Sequence, residues 1–475
     1  MINRKLLLML WPIVGIPWLL AAAPMQRIGH TTLLPAHTSP GDKGMYAAVI
    51  DPTNGYAYFV GTYLFKLDIT GNLPVQIGPS LYTGQFSQGA IDPAAGYLYL
   101  ARNTVNRYAL GAGPNPITSA GSLYLAAGNA AEIVIDDSDP NPANHSGYVV
   151  CTVSGGPARV AKVALSTFQE LGSVSLNAGE TNFLFAGAAD AHKGYAYFAG
   201  ASGGAAPGIL YVVKVKFTPG TNAPARVGAV NLDTVGASID GGSIDTLHGY
   251  AYYGTYDSDT NVPSKVYKMM LGDDDAAPTL VGHINLHAGE GRLSASVCDP
   301  VHGYVYFAND NTYPGGVYQL ALNGTNLPIE MAYLQLQGGP ETPPPNGVTT
   351  NNTTTNVDGI LPFGEVFFRS AVFNPVRGYA YLGQDSGPNQ VVKIQLAQDT
   401  LAISNASKLP GGAIQLSFPY TPGVTCTALA TTNPAVPLAD WSELGGVTEV
   451  SPGQFQFTDA AATNLPQRFY RLRSP

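Results

Sequence analysis

Charge is scarce in this 475-residue chain: Asp, Glu, Lys and Arg together make up 12% of it, against about 25% in ordinary soluble domains. The 23 Lys+Arg and 32 Asp+Glu leave a formal net charge of -9. So few cations give no surface that releases counterions from phosphates, which excludes nucleic acid and anionic membrane as partners. Cysteine is nearly absent too. Cys151, Cys298 and Cys426 are an odd number with no C-x-x-C spacing, so they read as small buried hydrophobes and not as a disulfide framework, metal ligands or a nucleophile. The chain has no Gly-rich phosphate loop and no H-E-x-x-H. Past residue 23 no stretch approaches the run of about 18 apolar residues that a spanning helix requires.

What is abundant is turn chemistry joined to apolar residues. Gly (55) and Pro (37) punctuate a chain that is 45% hydrophobic, a composition that supports large cores linked by many turns. Residues 1–23 combine Arg4 and Lys5, an apolar run from Leu6 to Leu20, and Ala21 to Ala23. That layout is expected of a secretory signal peptide. Pro12, Gly15 and Pro17 make it a poor permanent span, and no Cys follows the alanines to accept a lipid. The expectation is an exported protein, periplasmic, cell-surface or extracellular, whose mature part does not insert in a membrane.

One signature recurs seven times: Asp51-Pro-Thr-Asn-Gly55-Tyr-Ala-Tyr58, Asp92-Pro-Ala-Ala-Gly96-Tyr-Leu-Tyr99, Asn141-Pro-Ala-Asn-His-Ser-Gly147-Tyr148, Asp190-Ala-His-Lys-Gly194-Tyr-Ala-Tyr197, Asp245-Thr-Leu-His-Gly249-Tyr-Ala-Tyr252, Asp299-Pro-Val-His-Gly303-Tyr-Val-Tyr306 and Asn374-Pro-Val-Arg-Gly378-Tyr-Ala-Tyr381. The glycines stand 41, 51, 47, 55, 54 and 75 residues apart. Such periods with strand-like content indicate propeller blades. Asp or Asn accepts hydrogen bonds from N–H groups just ahead, Pro presets the first turn residue, and Gly takes the left-handed position that closes the hairpin.

Each copy reads as four strands: a small apolar strand before the turn, the alternating Gly-Tyr-x-Tyr strand after it, a third strand such as Val266 to Leu271, and a fourth with a small residue at its centre, such as Leu280-Val-Gly-His-Ile-Asn-Leu286. The seventh copy lacks a fourth strand after Leu396. Gln26-Arg-Ile-Gly-His-Thr-Thr-Leu33 matches that text instead, which predicts that the mature N-terminus pairs into the last blade and removes both exposed edges.

Gly-Tyr-Ala-Tyr-Phe-Val-Gly-Thr62 and its copies resemble the repeats of exported bacterial seven-bladed β-propellers of the YVTN type. The resemblance implies an all-β fold over residues 24–398 and leaves activity open, because that superfamily includes binding proteins, lactonases and surface-layer proteins. Residues 399–475 differ in composition and show short alternating strands, as in a small β-sandwich. They resemble the fibronectin-like tail modules of exported bacterial proteins, which end in a similar R-F-Y-R-L, here Arg468 to Leu472. The three tryptophans are Trp11, Trp18 and Trp441, so the repeats lack the T-W ends of sialidase-type propellers and the Trp docking motifs of quinone-dependent dehydrogenases.

Chemical candidates are few. Of 27 tyrosines, 13 occupy the Gly-Tyr-x-Tyr strands, where alternate residues share a face and pack between blades. His192, His248 and His302 sit within signature turns. Ser202 lies in a G-x-S-x-G that opens a loop with no helix after it, unlike a nucleophile elbow. Asp257-x-Asp259-x-Asn261 starts like a calcium loop, but Val262 and Lys268 occupy positions that need Gly and Glu; no cofactor is assigned, and calcium is the one cation considered. Loops opposite the signature turns vary in length, the longest running from about Gln337 to Glu365. On that face Glu180, Glu290, Glu341, Asp257, Asp310, Tyr313 and Asp385 are the expected binding residues around a channel mouth. The favoured function is noncatalytic recognition or scaffolding, with an extracellular protein or polysaccharide as partner. The alternative is an exported propeller enzyme, lactonase-like or glycan-active, that uses those carboxylates.

The composition changes abruptly after Leu396, and 77 residues of short strands suffice for a small core. Limited proteolysis is therefore expected to cut near Gln398 to Thr400 or Asn405 to Pro410 and leave two stable fragments. A tail that unfolds once released would instead belong to the repeat unit.

Overall fold

The structure is a computed structural model that describes residues 25–34, 44–84, 88–201, 209–235, 238–257, 262–287, 290–310, 315–336, 365, 367–385, 389–396, 403, 405–419, 426–434, 436, 441–451, 454–464 and 467–473. These form β-strands and two short 3-10 turns. The chain divides into two compact units, Met25–Leu396 and the segment from Ala397 onward.

In the first unit the described residues form seven antiparallel sheets in repeated sequence order. Their first strands are Ala47–Asp51 (sheet 1), Gln88–Asp92 (sheet 2), Asn129–Asp136 (sheet 3), Asn182–Asp190 (sheet 4), Ser238–Asp245 (sheet 5), Leu293–Asp299 (sheet 6) and Phe368–Asn374 (sheet 7). Each first strand packs against those of the sheets before and after it, and that of sheet 7 packs against that of sheet 1, so the sheets close a circuit. The fourth strand of sheet 7 is Gln26–Thr32, paired antiparallel with Gln390–Gln395. Apolar clusters fill each space between neighbouring sheets, as in the packing of Val134, Val150 and Val160 of sheet 3 on Phe198 and Val213 of sheet 4.

The signature turns work as their chemistry requires. In Asp51, Asp92, Asp190, Asp245, Asp299 and Asn374 a side-chain oxygen accepts the N–H three residues on, at 2.9 to 3.2 Å. Gly55, Gly96, Gly194, Gly249, Gly303 and Gly378 take φ of 65° to 79°, a conformation that L side chains rarely adopt. Sheet 3 differs from the expected turn. Its first strand ends at Asp136, Asn141 caps a 3-10 turn over Pro142–Asn144, and Gly147 lies inside the strand Ser146–Thr152. The nine-residue detour places His145 where Nδ1 meets the signature Asp92 of sheet 2, 2.7 Å away.

Between sheets the same device recurs. The second tyrosine of each signature, or in sheet 3 its single one, pairs in register with a long polar residue on the third strand: Tyr58 with Lys66, Tyr99 with Arg107, Tyr148 with Lys162, Tyr197 with Lys214, Tyr252 with Lys268, Tyr306 with Gln319 and Tyr381 with Lys393. The five lysines are buried. Each sends its ammonium into the hairpin that joins strands three and four of the next sheet. Lys214 donates to the carbonyls of Gly272, Asp274 and Ala276 at 2.8, 2.6 and 3.1 Å, and Lys268 to those of Leu322, Gly324 and Asn326. Lys393 reaches Gly71 and Asn72 of sheet 1. The signature tyrosines supply ring faces to the same cations, Tyr195 at 4.1 Å from Lys214 and Tyr379 at 3.9 Å from Lys393.

The small residue in the fourth strand follows from this contact. Gly29, Gly172, Gly228 and Gly282 pair with Lys393, Lys162, Lys214 and Lys268. A Cβ on Gly228 would come within 2.6 Å of Ala277, a residue of the hairpin that Lys214 holds. Sheet 6 departs from the rule twice, with Gln319 for the lysine and Ala332 for the glycine. Its neighbour, sheet 7, takes its fourth strand from the N-terminus and has no hairpin there to clasp.

The second unit has two antiparallel sheets, one of four strands from Asn405–Lys408, Ile414–Pro419, Gln454–Asp459 and Thr448–Ser451, and one of three from Ser442–Gly446, Thr427–Thr431 and Phe469–Arg473. Phe418, Cys426 and Phe455 form its buried centre. In the terminal R-F-Y-R-L, Arg468 and Tyr470 both donate to Asp459, at 2.7 and 2.8 Å. Cys151, Cys298 and Cys426 are unpaired, with Cys298 half-buried.

Replacing Lys268 with Met should leave the carbonyls of Leu322, Gly324 and Asn326 without their donor, a loss of about 1–3 kcal/mol per buried group left unmatched. Gln319→Lys should also lower the melting temperature, because its ammonium meets no hairpin. Thermal melts of both variants check the pair; a stabilised Gln319→Lys would refute the clasp as the reason for the exception.

Candidate functional site

The first strands line the centre of the circuit, and their side chains there are mostly small. A cavity of about 190 Å³ is bordered by Gly89, Gly187, Gly241, Ala295 and Ala371, with Tyr46, Gln88, Asp240, Ser294, Ser296, Arg369 and Ser370 as its larger or polar members. Asp240, Ser294 and Arg369 share a structural origin. Each is the extra residue of a β-bulge, between Ile239 and Gly241, Leu293 and Ala295, and Phe368 and Ser370. A bulge redirects one side chain out of the strand's alternation, and these three meet the cavity.

Arg369 is the hub. Its Nη2 lies 2.8 Å from Asp310 Oδ2 and its Nε 3.2 Å from Asp385 Oδ2. Its guanidinium lies 5.8 Å from the ring centre of Tyr46 and 5.4 Å from that of Tyr256. Arg292 stands 4.8 Å over Tyr256 and donates to its hydroxyl. The acids enter from equivalent places, directly after the second strands of their sheets: Asp257 follows Tyr250–Tyr256, Asp310 follows Tyr304–Asn309 and Asp385 follows Tyr379–Gln384. Backbone bonds fix two of them, Asp310 N–H to the Arg292 carbonyl at 2.8 Å and Asp385 N–H to that of Phe367 at 2.7 Å.

Burial dominates the electrostatics. It pushes the Asp310 carboxyl above its ordinary value against the pull of Arg369, and does the same to Asp240. Burial opposes the charge on Arg369 itself, yet Asp310, Asp385 and Asp240 hold its proton more firmly than usual. The Tyr46 hydroxyl is raised by burial and by its hydrogen bond to Asp385. Asp310 Oδ1 is buried without a hydrogen-bond partner.

Of the residues singled out in the sequence, Asp310 and Asp385 are brought together by Arg369, with Asp257 next to Tyr256. Glu180 and Glu290 do not border the central cavity. Each sits in a tight turn after a fourth strand and faces the fourth strand of the next sheet. Glu341 and Tyr313 lie outside the described residues, as do Ser202, Asp259 and Asn261. Sequence reasoning passed over Arg369, Arg292, Asp240 and Tyr46. The available signal was a charged residue, Arg369 or Asp240, within first strands otherwise made of small and apolar residues.

The arrangement presents a planar cation fixed by two carboxylates and flanked by two phenol rings. It holds no nucleophile beside a base among the described residues: the Ser294 hydroxyl is spent on the Phe368 carbonyl, and no histidine borders the cavity.

No known protein family and no curated relative matches the chain. Solved structures do. U3-55K aligns over 79% of this chain and 99% of its own, at 10% identity and a TM-score of 0.50. The WD40 repeats of RRP9 cover the same shares at 10% identity and 0.49. A protein from Lactobacillus plantarum covers 63% of this chain and 86% of its own at 13% identity and 0.45. The likeness to U3-55K, at 10% identity, bears on the fold alone, and with the repeated four-stranded sheets of this chain it gives an all-β propeller architecture.

Arg369→Met should leave Asp310 buried and without its cation, a change that costs about 3–5 kcal/mol when a buried pair is broken from one side. Arg369→Met combined with Asp310→Asn should recover much of that loss. Urea unfolding of the two variants checks this; equal losses in both would mean that the acid and the guanidinium are not coupled.

Proposed function

We propose that the protein is a noncatalytic recognition module: an exported seven-bladed propeller with a fibronectin-like β-sandwich tail that binds an extracellular protein or polysaccharide. Binding takes place at the channel mouth opposite the signature turns, where Asp310 and Asp385 meet Arg369, Tyr46 and Tyr256, with Asp257 directly after Tyr256 in the chain. The observation that carries this reading is the closed Arg369–Asp310–Asp385 network. Arg369 is held between two carboxylates and two phenol rings, so the network forms a fixed polar and aromatic surface suited to hydroxyl-rich or peptide ligands. The secretory layout of residues 1–23 supports an exported setting, and the fold is one whose loops commonly serve as binding surfaces.

The catalytic alternative has one observation in its favour, the unpartnered buried oxygen of Asp310 with its raised proton affinity, a property that general acids share. In that reading a water molecule adds to the carbonyl or anomeric carbon of a lactone or glycoside while Asp310 donates its proton to the leaving oxygen as the C–O bond breaks, and the proton lost by the water restores Asp310.

A glycan array and a pull-down from extracellular material, each with and without calcium, identify the ligand. Asp257→Asn with Asp385→Asn should then weaken its binding about tenfold, equivalent to ~1.4 kcal/mol, in protein that a thermal melt shows to be folded at the assay temperature. Undiminished binding removes the mouth as the site. Turnover of a bound lactone or glycan that disappears in Asp310→Asn would replace recognition with catalysis.

A further inference from the structure

The turns after the fourth strands provide an internal comparison. In the turn after sheet 3, Glu180 Oε2 accepts the Asn177 N–H at 2.8 Å, and the Glu180 N–H returns to the Asn177 carbonyl at 3.0 Å. In the turn after sheet 5, Glu290 Oε2 accepts the His287 N–H at 2.8 Å, and the Glu290 N–H returns to the His287 carbonyl at 3.0 Å. The two turns are the same device, and each buries its glutamate against the fourth strand of the following sheet.

What that strand supplies differs. Sheet 4 supplies Arg226, whose Nε and Nη2 meet the Glu180 carboxylate at 2.9 and 2.5 Å. Sheet 7 likewise supplies Arg27, which meets Glu365 together with His30. At the equivalent register position, just before the irregularity of the fourth strand, sheet 6 supplies Glu330, paired with Leu320 as Arg226 is with Val215 and Arg27 with Ile394. A second carboxylate stands where the other two junctions place a guanidinium. Glu290 is 2% exposed and the Glu330 side chain 9%, and each keeps one buried oxygen with no hydrogen-bond partner. Among the described residues, the only cationic group that reaches them is the imidazole of His287, with Nδ1 3.2 Å from Glu290 Oε2 and 3.1 Å from Glu330 Oε2.

Two buried carboxylates need more positive charge than one half-exposed imidazole supplies. One ligand atom from each of His287, Glu290 and Glu330 lies within 4.8 Å of the others. The Nδ1–oxygen separations are near the edge of about 3.3 Å expected for a tetrahedron with zinc–ligand bonds of about 2.0 Å. We propose that His287, Glu290 and Glu330 bind one divalent transition-metal ion, which joins sheet 5 to sheet 6 as arginine joins the equivalent sheets elsewhere. An imidazole with two carboxylates favours zinc or manganese over magnesium and calcium, which prefer all-oxygen shells. The exposed side of His287 leaves room for water in the remaining positions.

The test uses the full chain purified without a polyhistidine tag and stripped with chelator. Zinc chloride should bind with one-to-one stoichiometry by calorimetry and raise the melting temperature by several degrees. Glu330→Arg should rebuild the Arg226–Glu180 pair at this junction, so the variant should fold without metal while losing at least tenfold in zinc affinity. His287→Ala should lose affinity similarly. An untouched melting temperature in zinc and manganese, or zinc binding unchanged in Glu330→Arg, would overturn the proposal; so would calcium stabilisation that His287→Ala leaves intact.

Discussion

A lysine ammonium taken out of water must find several oxygen acceptors, and in this fold they come from a hairpin of the neighbouring sheet. Lys66, Lys162, Lys214, Lys268 and Lys393 each reach across the gap between sheets to backbone carbonyls that nothing within their own sheet would satisfy. The geometry of the repeat depends on this demand. The first signature tyrosine offers its ring to the charge, as Tyr56, Tyr195, Tyr250 and Tyr379 do at 3.9 to 4.4 Å. The glycine beyond it lets the next hairpin come close enough. Arg107 performs the task in sheet 2 with a different cation, donating to the Leu165 carbonyl and stacking 4.5 Å from Phe168.

Work is divided by radius. The clasps and apolar clusters hold neighbouring sheets together, and the carboxylate–arginine pairs brace the fourth strands. The innermost strands turn their larger residues into those clusters and their small ones to the centre, where they leave a cavity. Only where bulges break strand alternation do Asp240, Ser294 and Arg369 enter it, which confines the chemically distinctive groups to one arc of the mouth.

The fold was legible because its cause is local and repeated. Asp, Gly and two alternating tyrosines announce each turn and second strand, and Ile28-Gly-His30 matched Val281-Gly-His283 because both sit on fourth strands with the same glycine requirement. Sheet 3 misled at Asn141, where a local 3-10 turn borrows the Asn-Pro spelling of the signature while the strand ends earlier, at Asp136. The site was less legible. Asp257, Asp310 and Asp385 stood out as polar residues after second strands, but Arg369 is recognised only when the bulge that turns it inward is seen. Glu180 and Glu290 share a turn spelling, Ala-Gly-Glu, that encodes a brace between sheets; whether its partner is Arg226 or Glu330 depends on a residue about 40 positions downstream, which no local pattern specifies.

The closure by the N-terminal strand also sets how the unit is tethered. Gln26 pairs with Gln395, and Gln395 pairs with Tyr379, the first residue after the signature turn of sheet 7. The chain thus enters and leaves the propeller side by side, on the face of the signature turns and at a single sheet. The Arg369 cluster lies at the other end of the same sheet, beside the first residues of Phe368–Asn374, so the point where the chain joins this unit and the candidate site are separated by the full length of one strand.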